Sequence, residues 1–168
     1  MNGEYAALAG RIREALTELE LVAHRAEDLR DKAQLTGDDG YWDAVALNLH
    51  SFYTGVERIF TDTARTMEGS VPSSPSWHQD LLLQMSAEMS RLRPPVITRG
   101  TRDRLSEYLN FRHVVRNVYA FKMRFDRVQE LAVGLRVCYE AVTRDLTNFA
   151  ASLDQLARSD EAPTETSP

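Results

Sequence analysis

Apolar residues recur every three or four positions along almost the whole chain, and this spacing constrains it to helices. In residues 4–35 the apolar stripe is interleaved with charged residues, which predicts one long amphipathic helix. No segment shows the sustained two-residue alternation of a half-buried strand. The chain is therefore expected to be all-α.

Turn and proline signals divide this pattern into five helices. The glycine-rich stretch 37–40 is a turn signal, and the helical period resumes over 42–67. The loop 69–75 contains two prolines that no helix could cross. Ser76, with Gln79 three residues later, predicts a capping box at the start of the third helix.

The third helix is expected to carry Leu82, Met85 and Met89 inward and to end before the proline pair at 94–95. The fourth helix is expected to run from about Thr101 to Phe121.

Asp126 suggests an N-cap for a fifth helix that continues to about Leu156. Residues 1–158 are thus expected to form a single domain, an up-and-down bundle of four or five helices with short connections. The polar residues 159–168 are expected to form a disordered tail.

The composition excludes several classes of protein. Cys138 is the only cysteine, so the chain has no internal disulfide and no thiolate zinc cluster. His24, His50 and His78 lack a second ligand at helical spacing, so neither a metal nor another cofactor is predicted. The start of the chain does not resemble a signal peptide, and no apolar run approaches a membrane span. A cytoplasmic protein without membrane association is expected.

The positive charge is concentrated in one segment of an acidic chain. Residues 91–127 contain nine arginines and Lys122 against three acidic residues, a net charge of +7. Because the whole chain carries −5, the remainder must carry −12. Such a basic middle could hold a polyanion or dock an acidic partner, and charge alone does not distinguish the two.

The segment 111–121 combines an apolar side with a strongly polar one. On a helical wheel its valines and phenylalanines (Phe111, Val114, Val115, Val118 and Phe121) fall together and are predicted to face the core. The opposite side gathers two guanidiniums, an imidazole, an amide and a phenol, from Arg112, His113, Arg116, Asn117 and Tyr119.

These polar groups suit chemistry at a phosphate. A guanidinium offers forked donors that match phosphate oxygens, and an imidazole moves protons near neutral pH, as RNA cleavage by its own 2′-hydroxyl requires. The alternative is a solvated helix face that also contacts another subunit, because arginines on exposed helices are common.

The pattern Arg112-x-x-x-x-Asn117-x-Tyr119 resembles the R-x-x-x-x-H-x-Y signature of HEPN-domain toxins of the HepT-like family. His113 matches the polar residue that follows the arginine in that family. The likeness covers roughly residues 40–135, and it is carried by the segments 41–60, 76–82, 93–95 and 108–114.

This resemblance implies a dimeric, metal-independent ribonuclease toxin whose two signatures meet near the two-fold axis. It implies that Arg112 holds the scissile phosphate and that Arg116 and His113 add charge or orientation. The implied partner is a minimal nucleotidyltransferase antitoxin that adds AMP to Tyr119. Positions 112 and 117 lie about 140° apart on one helix, so two chains facing each other would supply both to one cleft.

Asn117 departs from the signature, because the family has histidine at this position. An amide cannot exchange a proton near neutral pH, and losing a general acid or base typically costs about 10² to 10⁴ in rate. Three explanations are open: an engineered substitution that disarms a toxic protein, a natural member with weakened or no activity, or transfer of the role to His113.

Two rival functions are weighed against the toxin. One is a non-catalytic HEPN substrate-binding or partner subunit of a nucleotidyltransferase, which Asn117 favours. The other is a purely structural helical oligomer. Nearby, Glu57 and Arg58 either line the cleft with Tyr53 or form an exposed pair, and His78 is expected to be a surface or cap residue.

Overall fold

Five helices make up the part of the protein that the computed structural model describes, residues 2–117 and 124–159. Within these residues there is no strand, only an isolated bridge between Met89 and Arg93. The predicted all-α helical bundle is confirmed. The helices are α1 (Asn2–Thr36), α2 (Gly40–Glu68), α3 (Trp77–Met85), α4 (Arg99–Asn117) and α5 (Phe125–Ser159).

The long helix α1 packs against both α2 and α5. Its ion pairs show the directions: Arg11 contacts Asp62 near the end of α2, and Arg13 contacts Asp154 near the end of α5. Both neighbours therefore run antiparallel to α1. The apolar stripe of α1 is fully buried at Leu8 and Ile12. The apolar residues that recur along α1 in the sequence therefore form the face that packs against α2 and α5.

Helix α4 packs against α2, α3 and α5. The Tyr108 ring meets Phe52 edge-on at 5.7 Å, and its hydroxyl donates to the Leu131 carbonyl at 2.8 Å. At the start of α4, the buried Asp145 carboxylate accepts hydrogen bonds from the Thr98 amide and hydroxyl at 2.8 and 3.0 Å. These contacts fix the helix that carries the signature residues.

The third helix ends at Met85, about two turns earlier than the sequence predicted. The buried Arg93 explains the difference, because its guanidinium donates to the carbonyls of Gln84 and Ala87 at 3.1 Å each. These carbonyls lie at the helix terminus, where they lack helical partners. Met89 consequently lies in the 86–98 connection, which is longer than the short connections predicted.

Ser76 is the N-cap residue of α3, as predicted, but its capping box is absent, and the N-cap predicted at Asp126 was wrong. Ser76 precedes α3, but its side chain makes no capping hydrogen bond; its hydroxyl lies 3.2 Å from that of Ser74, which donates to Asp80 at 2.5 Å. Asp126 lies inside the first turn of α5 and pairs with Arg124, so it is not the N-cap.

The predicted tail begins at the last residue of α5, Ser159, and its residues 160–168 lie outside the described part of the chain. Among the described helices, none combines the length and the apolar character needed to cross a membrane.

We predict that Arg93→Met destabilises the protein by about 3–5 kcal/mol, because it leaves the Glu68 carboxylate buried without its positively charged partner. The two side chains are 0% and 4% exposed. The matched control is Arg11→Met, which breaks the exposed pair with Asp62 and is expected to cost about 1 kcal/mol or less. Urea unfolding of both variants measures the difference, and equal costs would contradict the assignment.

Candidate functional site

Arg112 points into the protein. It is only 9% exposed, although the helical wheel placed it on the polar, outward side. The reason is the register of α4, in which Leu105, Tyr108 and Arg112 follow one another at three- and four-residue spacing and face α2. Val114, which was predicted to face the core, is 48% exposed instead. A helical wheel that begins at Phe111 omits the preceding turns, which define the buried stripe.

A buried carboxylate receives Arg112. Glu57 of α2 is 6% exposed, and its Oε1 lies 3.7 Å from Arg112 Nη2. Its other oxygen accepts a hydrogen bond from His78 Nδ1 at 2.6 Å. The expectation of an exposed Glu57–Arg58 pair was therefore wrong for Glu57, while Arg58 is exposed.

His78 completes this cluster from α3. Its ring stacks on Trp77 with centroids 3.6 Å apart, and Nε2 lies 3.3 Å from Arg112 Nη1. The side chain is 12% exposed, so His78 is not a surface residue, although it lies in the first turn of α3 as predicted. Because Nδ1 faces a carboxylate, it carries the proton in the neutral ring. Arg112 Nη1 also lies 3.5 Å from Nδ1, so the guanidinium nitrogen lies over the face of the ring. We call Glu57, His78 and Arg112 the carboxylate cluster.

Two further signature residues lie at the surface next to the carboxylate cluster. His113 is exposed, and its ring meets His78 edge-on with centroids 5.8 Å apart. Arg116, one turn further along α4, is also exposed. Asn117 is the last described residue of α4, and its side chain lies outside the description, as does Tyr119.

Comparison with protein families assigns the chain to one family. A family model described as HepT-like protein matches residues 44–153. The chain belongs to the HepT-like family of HEPN-domain proteins. The matched region of this HepT-like protein covers α3, α4, most of α2 and most of α5, and it therefore contains the carboxylate cluster. Comparisons with curated proteins and with solved structures gave no match.

Much of the positive charge counted in residues 91–127 is paired locally in this HepT-like fold. Beyond Arg93 and Arg112, three surface arginines of the segment have carboxylate partners: Arg102 with Asp103, Arg124 with Asp126, and Arg127 with Glu107 and Glu130. Within the described residues, Arg116 has no ion-pair partner. Arg116 therefore leaves an exposed positive charge at the end of α4.

Polar atoms without partners concentrate around the same cluster. Among the described residues, four buried side-chain atoms lack a hydrogen bond, and three of them are Arg112 Nε, His50 Nδ1 and Thr54 Oγ1. Burial lowers the pKa of His50, and the charges of Arg112 and Arg116 lower it further. His50 is therefore held neutral beside the two signature arginines. The sequence could not reveal this, because the positions are about sixty residues apart.

Tyr53 shares the electrostatic environment of the carboxylate cluster. Burial raises the pKa of its hydroxyl, and the negative charge of Glu57 raises it further while Arg112 opposes the shift. The phenol therefore stays protonated, and it is available as a hydrogen-bond donor rather than as a base.

A groove of about 460 Å³ runs between α1 and α2. His50 and Thr54 line it together with Arg58, whereas Arg112 does not. The groove therefore adjoins the carboxylate cluster without containing it. Within residues 2–117 and 124–159, no group of three or more histidine, cysteine or acidic side chains is arranged to hold a metal ion.

We predict that His50 makes the protein less stable at acid pH. Its pKa is lowered in the folded state, so the unfolded chain binds more protons, and stability falls as the pH drops below the ordinary histidine value of about 6.5. In His50→Asn, the loss of stability between pH 7.5 and 5.5 should be smaller than in the wild type. Urea midpoints at the two pH values measure this difference. An identical loss in both proteins would refute the role of His50.

Proposed function

We propose that this HepT-like protein is the toxin of a toxin–antitoxin module and cleaves RNA without a metal ion. One observation carries the proposal: in a HepT-like chain, the signature arginine Arg112 is held in a buried carboxylate cluster directly beside the exposed His113 and Arg116. This arrangement concentrates phosphate-binding and proton-transferring groups at one end of α4.

Arg112 keeps hydrogen-bonding capacity for a phosphate. Its contact with Glu57 is 3.7 Å, longer than a hydrogen bond, and its Nε has no partner among the described residues. A phosphate oxygen would form shorter, charge-assisted hydrogen bonds with the same guanidinium. Arg116 would add a second positive charge from the surface, so that the anion is bound between a buried and an exposed arginine.

We propose that a second copy of the chain covers this surface. Val114 is apolar and 48% exposed, and it lies between His113 and Arg116 on the turn of α4 that would face a partner. Exposed Leu83 of α3 and Asn110 line one groove a single turn before Val114. A homodimer would cover these apolar groups and bring two sets of signature residues together, as positions 112 and 117 require.

The proposed partner is a nucleotidyltransferase antitoxin that transfers AMP to Tyr119. Tyr119 follows Arg112 by seven residues in the sequence, so we propose that an AMP group on it would put a bulky anion next to the phosphate-binding arginines. Such a group would block RNA by occupancy and by charge. We propose that this is how the toxin is neutralised.

Asn117 is proposed to weaken the nuclease, because the family has a proton-transferring histidine there. We predict that Asn117→His raises the rate of RNA cleavage in EDTA by about 10² or more and slows bacterial growth on expression. Fluorescent single-stranded RNA measures the rate. The matched control is Asn48→His in α2, which creates a histidine outside the signature and should not increase cleavage.

Arg112→Ala in the Asn117→His background should abolish the gained activity, because the phosphate loses its anchor. If Asn117→His neither cleaves RNA nor affects growth, the nuclease proposal fails.

A non-catalytic partner subunit of a nucleotidyltransferase is the second candidate, and Asn117 favours it. The two candidate functions predict different outcomes for modification of Tyr119. We predict that incubation with the cognate nucleotidyltransferase and ATP adds one AMP to Tyr119, seen by intact-mass and peptide mass spectrometry. Tyr119→Phe should lose the modification, whereas Tyr41→Phe in α2 should keep it. A stable complex without any added mass would favour the non-catalytic subunit.

A further inference from the structure

We propose that His78, oriented by Glu57, is the proton acceptor of this site, so that slow cleavage remains although Asn117 cannot transfer a proton. The inference rests on the proposed RNA cleavage, and it assigns that chemistry to a residue of α3 outside the signature. His78 is not a neighbour of Arg112 in the sequence, since 34 residues separate them.

The Glu57–His78 contact has the geometry that orients a catalytic base. The carboxylate oxygen lies 2.6 Å from Nδ1, and the two side chains are only 7% and 12% exposed. A carboxylate held on Nδ1 fixes the tautomer, turns the other ring nitrogen into the acceptor, and stabilises the imidazolium that forms. Stacking on Trp77 at 3.6 Å also fixes the plane of the ring.

The acceptor nitrogen lies beside the proposed phosphate anchor. His78 Nε2 is 3.3 Å from Arg112 Nη1. A phosphate oxygen bound to that guanidinium would lie about 2.8 Å from Arg112 Nη1. The 2′-oxygen of the preceding ribose would then come within hydrogen-bonding reach of Nε2. One chain thereby provides a phosphate anchor and a base side by side, which positions 112 and 117 of a single helix do not.

The ring also has a route to the substrate. The His78 ring meets the exposed His113 ring at 5.8 Å between centroids, so the surface of α4 comes close to His78. RNA lying along Arg116 and His113 would reach Nε2 as its phosphate displaces the contact between Arg112 and His78.

The proposed step is a transesterification. His78 Nε2 takes the proton of the 2′-hydroxyl, the 2′-oxygen forms a bond to phosphorus, and the P–O5′ bond breaks with its electron pair on O5′. The leaving O5′ takes a proton from solvent, and the imidazolium later returns its proton to solvent. The products are a 2′,3′-cyclic phosphate and a 5′-hydroxyl, and no oxidant, reductant or metal is consumed.

The test measures metal-free cleavage of a pool of short fluorescent single-stranded RNAs by the full chain. His78→Gln should lower the single-turnover rate of the wild-type chain by about 10² or more. Binding of the same oligonucleotides with 2′-deoxyribose, which cannot react, should change only a few-fold. The matched control is His24→Gln, because His24 is an exposed histidine of α1 that also lies near a glutamate, Glu27.

Two further variants separate catalysis from a structural role. Added imidazole should restore part of the activity of His78→Ala, which a packing defect would not allow. Glu57→Gln should shift the acid limb of the pH–rate profile to lower pH, because the imidazolium loses its stabilising carboxylate. If the His78 variants do not fold, this profile shift alone decides the assignment: an unchanged acid limb overturns it.

The outcomes separate the two proposals. Cleavage by the wild type that is unaffected by His78→Gln overturns the role of His78 and leaves the nuclease function standing. Cleavage seen only after Asn117→His likewise overturns the role of His78 and leaves the nuclease function standing. Absence of cleavage in both the wild type and Asn117→His removes the nuclease function, and the inference with it.

Discussion

The buried carboxylate of Glu57 is the interaction on which the functional end of this bundle depends. It accepts a hydrogen bond from His78 and faces the guanidinium of Arg112, so one charge of α2 joins α3 and α4. Burying a guanidinium without a carboxylate would lower the free energy of unfolding by several kcal/mol, so this contact stabilises the fold in addition to any role in chemistry. The position and tautomer of His78 and the direction of Arg112 both follow from it.

The fold could be predicted from the sequence where local periodicity decides it. The apolar stripe of α1 and the chain breaks around residues 37–40 and 69–75 predicted α1 and α2 with bounds close to those observed. The end of α3 could not be predicted in this way, because it depends on Arg93 reaching back to carbonyls up to nine residues earlier in the chain. Such a tertiary contact leaves no periodic signal.

The site shows the same division. The signature residues on α4 could be found by resemblance, and the family assignment agrees with it. The burial of Arg112 was missed although the spacing from Leu105 and Tyr108 contained the signal. The participation of Glu57 and His78 carried no local signal, because a solitary glutamate and a solitary histidine on separate helices become neighbours only after folding. The net charge of the basic segment was an equally indirect guide, since five of its arginines are paired with carboxylates.

The packing of α1 bears on where this protein can be divided. The family match begins at residue 44, after the whole of α1, yet α1 is the helix that packs against both α2 and α5. A fragment trimmed to the matched region would present the apolar faces of those two helices to water, together with the unsupported side of the groove beside His50. The region that matches the family model is therefore shorter than the set of helices that pack together. Helix α1 packs with the other helices although it lies outside the matched region.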